Sequence, residues 1–94
     1  MNNKCIVKSV QPSFEPHINS INNTHYPTVL LSGTNYLPNG TTYVEMWSDS
    51  NSTLKTRIQV NYLSSFTISF VVPISLQSQS ICYAQVINVY NNLR

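Results

Sequence analysis

Charged side chains are scarce in this sequence of 94 residues, and their scarcity excludes whole classes of function. Asp, Glu, Lys and Arg make up 9% of it, against about 25% in an average soluble domain. The five cations are scattered and leave a net charge of +2, so no basic patch is present that would neutralise several phosphates of a nucleic acid. The three carboxylates have no visible catalytic partner, and no nucleophile motif surrounds the many Ser and Thr residues. We therefore expect neither a nucleic-acid-binding protein nor an enzyme.

Glycine, long apolar runs and metal-ligand clusters are also lacking. Two glycines are too few for a phosphate-cradling loop, and no apolar run approaches the roughly 18 residues of a membrane-spanning helix. His17 and His25 have no companion ligands at a spacing typical of metal sites. The residues that follow Met1 do not form a signal peptide. The sequence thus predicts no cofactor, no metal and no membrane partner, and a location inside the cell or in a virion.

The most informative stretch that is present is Thr28–Tyr36, TVLLSGTNY. Val29, Leu31 and Gly33 share one face of an extended chain, because side chains alternate along a strand. The missing side chain of Gly33 permits a bend or a close approach of backbone. Tyr36 is expected to fold back over the core with its hydroxyl in water. The stretch therefore predicts a strand with a structured end.

Short runs of β-forming residues recur along the whole chain, and no stretch has a helical period. A turn is predicted at Leu37–Gly40, because Asn-Gly favours positive φ. The pattern predicts one domain, residues 1–94, built as an all-β antiparallel sandwich. The predicted strands are Lys4–Val10, Thr28–Gly33, Thr42–Ser48, Leu54–Val60, Ser65–Val72 and Ser80–Tyr90. Residues 11–26 are predicted to form a loop or an irregular crossing segment, and 49–53 and 73–79 to form loops. The residues predicted to face inward include Leu54, Ile58, Val60, Phe66, Ile68, Phe70 and Val72.

Five segments resemble the IPT/TIG domain, the immunoglobulin-like fold shared by plexins, Rel-type transcription factors and many microbial surface proteins. The resemblance covers most of the chain in the right order and implies an immunoglobulin-like β-sandwich. It implies little about function, because the family hosts many functions. Val7–Pro12 is similar to the family's I-x-S-I-x-P, Thr28–Tyr36 to T-V-x-I-x-G-x-N-F, Val44–Met46 to V-x-F, Phe66–Pro73 to T-x-I-x-x-x-V-P, and Ile87–Asn91 to V-x-V-x-N.

The sequence departs from the family pattern in two places. Segment 13–26 replaces the paired glycines that usually precede the second strand. Family members also continue past V-x-V-x-N into one more strand, whereas this sequence stops at Arg94. On this alignment the final strand is missing and one sheet edge is open, which invites pairing with another chain. On a second alignment Ser80–Tyr90 is itself the last strand and nothing is missing.

The last predicted strand has apolar side chains on both faces. Tyr43 and Trp47 lie opposite the inward residues of their own strand. If the two strands share a sheet, their outer faces form an aromatic patch of the kind that marks contact surfaces. In the alternative, segment 13–26 covers the patch. The candidate interface residues are Tyr43, Trp47, Cys82, Ala84, Val86 and Tyr90, and the other face of the last strand carries Tyr83, Ile87 and Val89.

Cys5 and Cys82 lie on the first and last predicted strands. A disulfide between them would close most of the chain and contribute about 4 kcal/mol on the loop-entropy model. Because no secretion signal is seen, two reduced thiols are the favoured expectation.

The sequence favours a structural protein that packs against other subunits of an assembly. A sparsely charged surface lacks the repulsion that keeps monomers apart, although a compositional bias toward Asn explains the same feature. We expect a small virion component, such as a minor capsid or cement protein, that contacts capsid subunits or further copies of itself. One alternative is a glycan- or receptor-binding module that uses Tyr26, Tyr36 and Trp47. The other is a Rel-type DNA-binding domain, which the lack of clustered cations disfavours.

Overall fold

The chain folds into two β-sheets packed face to face. The computed structural model describes residues 5–11 and 16–89. Its elements in chain order are β1 (Ile6–Ser9), β2 (His17–Asn22), β3 (Thr28–Thr34), β4 (Thr42–Ser48), β5 (Asn51–Gln59), β6 (Asn61–Ser64), β7 (Thr67–Val71), α1 (Ile74–Gln77) and β8 (Ile81–Asn88). One sheet, sheet A, has the strand order β1-β8-β4-β5, and the other, sheet B, has the order β2-β3-β7-β6. The pairings are antiparallel except that of β1 with β8, which is parallel. The predicted all-β sandwich is confirmed.

The core lies between the inner faces of the two sheets. Alternate residues of each central strand point into it, as the two-residue period of the sequence predicts. Full burial of one such apolar side chain contributes roughly 1.5–3 kcal/mol, so these faces hold the sheets together. The core side chains that are 2% exposed or less include Val29 and Leu31 of β3, Val44 and Met46 of β4, Ile68 and Phe70 of β7, and Ala84 and Val86 of β8.

The end of β3 is built around Gly33. A Cβ atom there would overlap the carbonyl oxygen of His17 and the phenol of Tyr36, which confirms the predicted close approach. Tyr36 does fold over the core, but its side chain is 0% exposed and its hydroxyl has no hydrogen-bond partner among the described residues. The expectation of a hydrated hydroxyl is therefore wrong. Burial raises the pKa of Tyr36 to about 12, because the charged phenolate is poorly solvated there.

The turn predicted at Leu37–Gly40 is present. Asn39 and Gly40 have φ values of 63° and 78°, and the N–H of Thr41 donates to the carbonyl of Pro38 at 3.2 Å. Two successive residues with positive φ define a turn that Asn-Gly adopts readily. Here the turn carries the chain from sheet B to sheet A.

Strand β2 occupies a segment that was predicted as a loop. Ile18 is 5% exposed and belongs to the core, and Ile21 packs against the core cluster. The pairing of β2 with β3 shifts register between Ile18 and Ser20. A bulge of this kind lets two isoleucines three residues apart face the same side, and it removes the alternation by which a strand is recognised. The prediction of a loop over 11–26 is thus wrong from His17 to Asn22.

The hairpin between β4 and β5 is tighter at its turn and more irregular in its ladder than predicted. Asp49 and Ser50 alone form the turn, and β5 begins at Asn51 rather than Leu54. The register shifts between Met46 and Ser48, because β5 holds more residues than β4 over the same span. Leu54, predicted to face inward, is 69% exposed beside this irregularity.

The first two residues of the predicted strand Ser65–Val72 form a turn, and β7 begins at Thr67. Phe66 lies in the turn between β6 and β7 and is 61% exposed, whereas Ile68, Phe70 and Val72 are buried as predicted. The inward assignment of Phe66 is wrong, because strand alternation begins only after the turn. The short helix α1 follows in the predicted loop 73–79. No helix of the described ranges is long and apolar enough to cross a membrane.

Candidate functional site

The outer face of sheet A carries a group of large side chains at its centre. Strands β4 and β8 are neighbours, and their register places Trp47 beside Tyr83 and Tyr43 beside Ile87. The rings of Trp47 and Tyr83 are stacked, with centroids 5.9 Å apart and planes 30° apart. All four side chains are half-buried. We call the surface formed by Tyr43, Trp47, Tyr83 and Ile87 the aromatic face.

Two cations of the edge strand β5 lie over the aromatic face. The ammonium of Lys55 is 4.5 Å from the centre of the Trp47 ring, and the guanidinium of Arg57 is 3.9 Å from that of Tyr43. Contacts of this type contribute about 0.5–1 kcal/mol at exposed sites. On the opposite side Lys8 of β1 is the register partner of Tyr83. The aromatic face is therefore bordered by positive charge along both edges of the sheet.

The turn between β4 and β5 fixes one ring. The hydroxyl of Tyr83 donates to Oδ1 of Asp49 at 2.9 Å. This bond to the Asp49 carboxylate, followed by burial and the negative charge, raises the pKa of Tyr83, because all three favour the neutral phenol. Since both Trp47 and Tyr83 are held by neighbours, the stacked pair is preorganised.

The charged side chains of the described residues are confined to one side of the sandwich. The charged side chains of the described residues are Lys8, Glu45, Asp49, Lys55 and Arg57, and all lie in sheet A or in its β4–β5 turn. Sheet B carries none within the described ranges, and its outer face exposes Leu30 and Val71 at 36% and 53%. Three of these charges are cations and two are carboxylates.

Three of the predicted interface residues belong to the core instead. Cys82, Ala84 and Val86 are 0% exposed, because the register of β8 with β4 places Ala84 beside Met46 and Val86 beside Val44. Their assignment to an interface is wrong. Tyr43 and Trp47 lie on the outer face as predicted, and Tyr90 lies outside the described residues. The polar Gln85, which alternates with Tyr83 and Ile87, was the signal that this side of the strand faces outward.

The cysteines form a disulfide, contrary to the expectation of reduced thiols. Cys5 directly precedes β1, and β1 pairs in parallel with Ile81–Ala84 of β8. This neighbourhood brings Cys5 and Cys82 to a Cα–Cα distance of 6.0 Å, and their sulfur atoms are joined. Both side chains are buried, at 2% and 0% exposure. The bond ties the two strands together at the edge of sheet A.

Strand β1 also fills part of the sheet edge that was predicted to be open. Its pairing with β8 extends from Ile81 to Ala84, and the N–H of Val10 continues it with a bond of 2.8 Å to the Ala84 carbonyl. Within the described ranges, no strand pairs with β8 beyond Ala84 on this side. The alignment with a missing final strand stays a prediction, because residues 90–94 lie outside those ranges.

The other candidate side chains are engaged elsewhere. The Tyr26 hydroxyl accepts a bond from the Cys5 N–H at 3.0 Å and donates to the Gln77 carbonyl at 3.2 Å, and Tyr36 is fully buried. The Tyr26 ring is partly buried against the core and its hydroxyl is engaged, and Tyr36 has no exposed surface for a glycan. His17 begins β2 on sheet B, and no cluster of three metal-ligating side chains occurs in the part of the chain that is described. Within the segment 13–26, residues His17–Asn22 form strand β2 of sheet B rather than a cover over the aromatic face of sheet A.

Comparison with models of protein families, with curated protein sequences and with solved structures finds no match to this chain. The IPT/TIG resemblance stays a prediction from the sequence, and function has to be inferred from the surface of the sandwich.

Proposed function

We propose that this protein is a non-enzymatic structural subunit that packs against other protein subunits through the aromatic face. One observation carries the proposal. Tyr43, Trp47 and Tyr83 are the largest side chains of the two central strands of sheet A, and they lie outside the core. Trp, Tyr and Arg dominate the binding energy of protein interfaces when they sit at the centre of a contact, and Arg57 joins the three rings here.

The energetic gain from covering this face is moderate for each ring. Complete burial of a large apolar side chain contributes about 1.5–3 kcal/mol, and these rings are already half-buried by Lys55, Arg57 and their strand neighbours. We therefore expect about half of that from each ring on binding. Several such contributions are needed to offset the entropy of association, which fits a subunit held by neighbours in an assembly.

Charges around the rings would orient the partner. Lys8, Lys55 and Arg57 surround the aromatic face. Glu45 lies between Tyr43 and Trp47 along β4. Charges at the rim of an interface contribute more to specificity and association rate than to affinity. The outer face of sheet B has no charged side chain in the described ranges that would orient a partner. We therefore assign the partner-binding surface to sheet A.

The setting that we propose is a virion, in which the chain acts as a minor capsid or cement protein. The scarcity of charge in the sequence supports this setting. The Cys5–Cys82 disulfide supports it as well, because disulfides persist on virion and cell surfaces and are rare in the reducing cytosol. Co-purification of the chain with particles through a density gradient, lost on particle disassembly, is the expected result.

Site-specific photo-crosslinking tests the assembly role. A benzophenone amino acid is placed at Tyr43 and, as the control, at Val71, which is 53% exposed on the outer face of sheet B. In the native assembly, position 43 should crosslink to another protein chain and position 71 should not. Equal crosslinking from both positions, or none from position 43, contradicts the proposal.

A glycan-binding role is the second candidate, favoured by one observation. The stacked pair Trp47 and Tyr83 lies beside the polar side chains of Glu45 and Gln85, and aromatic platforms next to hydrogen-bonding groups suit sugar rings. The ammonium of Lys55 over the Trp47 ring occupies part of that platform. Titration of the isolated protein with glycans, followed by the fluorescence of Trp47, decides between the two: a saturable change supports glycan binding, and no change leaves the assembly role.

A further inference from the structure

Three asparagines of this chain begin the sequence Asn-X-Thr, which is an acceptor motif for N-linked glycans. They are Asn22 in Asn-Asn-Thr, Asn39 in Asn-Gly-Thr and Asn51 in Asn-Ser-Thr, and no proline occupies the middle position. A motif this short also arises by chance in a chain rich in Asn and Thr, so its use has to be argued from the structure. We call these three residues the acceptor asparagines.

All three acceptor asparagines are exposed and lie where one strand gives way to the next. Asn22 is the last residue of β2, Asn39 lies in the turn between β3 and β4, and Asn51 is the first residue of β5. In the turn that holds Asn39, a Cβ added to Gly40 would meet nothing within 4 Å. An N-linked glycan is bulky and is carried at the surface, and each of the three positions meets this requirement.

Two of the acceptor asparagines use the side-chain oxygen for their hydrogen bonds. Oδ1 of Asn22 accepts a bond of 2.7 Å from the Thr24 N–H, and Oδ1 of Asn51 accepts a bond of 2.9 Å from the Thr53 hydroxyl. A glycan is joined to the side-chain nitrogen, Nδ2, and the product is still an amide with a carbonyl oxygen that accepts. Both hydrogen bonds therefore persist after modification.

Two asparagines outside the motif are engaged through the nitrogen instead. Nδ2 of Asn23 donates to the Val7 carbonyl at 3.3 Å, and Nδ2 of Asn88 donates to the Asn35 carbonyl at 2.9 Å. Within the described residues, the Nδ2 atoms of Asn22 and Asn51 donate no such bond. The nitrogens that would carry a sugar are thus the ones that the fold does not use.

The Cys5–Cys82 disulfide is a second, independent argument. N-linked glycans are typical of secreted proteins, and the lumen of the endoplasmic reticulum, where such proteins mature, is an oxidising compartment in which disulfides form. Both cysteines of the sequence are joined in the bond. We give this bond more weight than the residues that follow Met1, which do not form a signal peptide.

We propose that the protein matures in this compartment and is N-glycosylated at Asn22, Asn39 and Asn51. The co-reactant is a lipid-linked oligosaccharide diphosphate. A bond forms between Nδ2 and the anomeric carbon of the first sugar, and the bond from that carbon to the diphosphate oxygen breaks. The lipid diphosphate leaves with the electron pair of the broken bond, and the amide nitrogen gives up one proton. The transfer needs no oxidant or reductant.

This inference goes beyond the assembly role and does not depend on it. None of the acceptor asparagines belongs to the aromatic face: Asn22 lies in sheet B, Asn39 in the turn between the sheets, and Asn51 at the start of the edge strand β5. Glycans are solubilising, so they would supply the hydration that a surface with few charges lacks. The modification would protect the rest of the surface and leave the centre of sheet A to a partner.

Mass spectrometry of the protein from its natural source tests the proposal. The intact protein should be heavier than its amino-acid sequence, and treatment with a peptide N-glycosidase should remove the difference. The enzyme converts each modified Asn to Asp, so peptide mapping should find Asp at positions 22, 39 and 51. A mass that the enzyme does not change, or glycans carried only at other residues, overturns the proposal.

Variants expressed in cells of the same source assign each glycan to its residue. Asn22→Gln, Asn39→Gln and Asn51→Gln should each remove one glycan, seen as one step in electrophoretic mobility. Asn61→Gln is the control, because Asn61 is exposed but lies outside the motif, and this variant should keep every glycan.

A second pair of variants leaves the acceptor residue in place. Thr53→Ser preserves the motif at Asn51 and should retain the glycan, whereas Thr53→Ala destroys the motif and should lose it. This pair also decides the matter if Asn51→Gln does not fold. Unchanged mobility of both Asn51→Gln and Thr53→Ala contradicts the assignment of a glycan to Asn51.

Discussion

Reduction of the Cys5–Cys82 disulfide is expected to destabilise this protein strongly. The bond joins residues separated by 77 positions in the sequence. On the loop-entropy model, a loop of that length corresponds to about 4.5 kcal/mol at 25 °C. Domains of this size have a total free energy of unfolding of roughly 5–15 kcal/mol. The reduced protein would therefore retain a small margin of stability or none.

Thermal unfolding with and without reductant measures this loss. Since 1 kcal/mol shifts Tm by about 4–8 °C in a domain of this length, the reduced protein should unfold roughly 20–30 °C below the oxidised one. A Cys5→Ala/Cys82→Ala variant serves as the control. Its Tm should lie close to that of the reduced protein, lowered somewhat further by the lost sulfur atoms, and should not respond to reductant.

Two results would refute the reasoning. Thiol titration of the denatured, unreduced protein should find no free thiol, so two reactive thiols would show that the sulfur atoms are not joined. A Tm that is the same in both conditions would show that the bond does not limit the unfolded chain. In the second case β1 would be held by its pairing with β8 alone.

Three further predictions concern the core. Gly33→Ala should lower the free energy of unfolding, measured in urea, by about 1–3 kcal/mol, because the added Cβ overlaps the Tyr36 phenol and a backbone carbonyl. Gly40→Ala is the control: Gly40 has φ +78° and open space around it, so the substitution should lower the free energy of unfolding by only about 1 kcal/mol. Equal losses for the two variants would contradict the overlap at Gly33. Phe70→Ala should cost about 3–5 kcal/mol, whereas Phe66→Ala on the surface should change stability by about 0.5 kcal/mol or less. The pKa of Tyr36 is raised to about 12 from 10.0, so the folded state binds the phenolic proton of Tyr36 more tightly than the unfolded state does. The contribution of Tyr36 to stability should therefore be constant below pH 10 and fall between about pH 10 and 12. A Tyr36→Phe variant should show less of that fall, and an unchanged profile would count against the assignment.

Regular alternation made most of the sandwich predictable from the sequence. The bounds of β4, Thr42–Ser48, were predicted correctly because Val44 and Met46 alternate with outward residues without interruption. Irregular ladders were the source of most errors. The bulge in β2 interrupts the alternation of apolar and polar residues by which a strand is recognised. The register shift between β4 and the start of β5 turns the Leu54 side chain away from the core. A bulge leaves little trace in the amino-acid pattern, because it depends on the partner strand.

The candidate site was predicted in part. Tyr43 and Trp47 were identified because they oppose the core residues of their own strand. From the sequence, the wrong face of β8 was placed in the interface, because both faces of this strand are apolar enough for burial. One face carries Cys82, Ala84 and Val86, and the other carries Tyr83 and Ile87. Only the register with β4 decides between the faces. The disulfide depends in the same way on the adjacency of β1 and β8, which the sequence alone does not specify.

The pairing of the first strand with the last one has a consequence for biosynthesis. Val7 and Cys5 find their buried surroundings only when β8 is in place, and β8 leaves the ribosome after every other strand of the described chain. Contacts of such high sequence separation form slowly. While translation proceeds, the Cys5 thiol has no Cys82 to join until β8 has emerged, so oxidation of this pair is a late event in the biosynthesis of the chain.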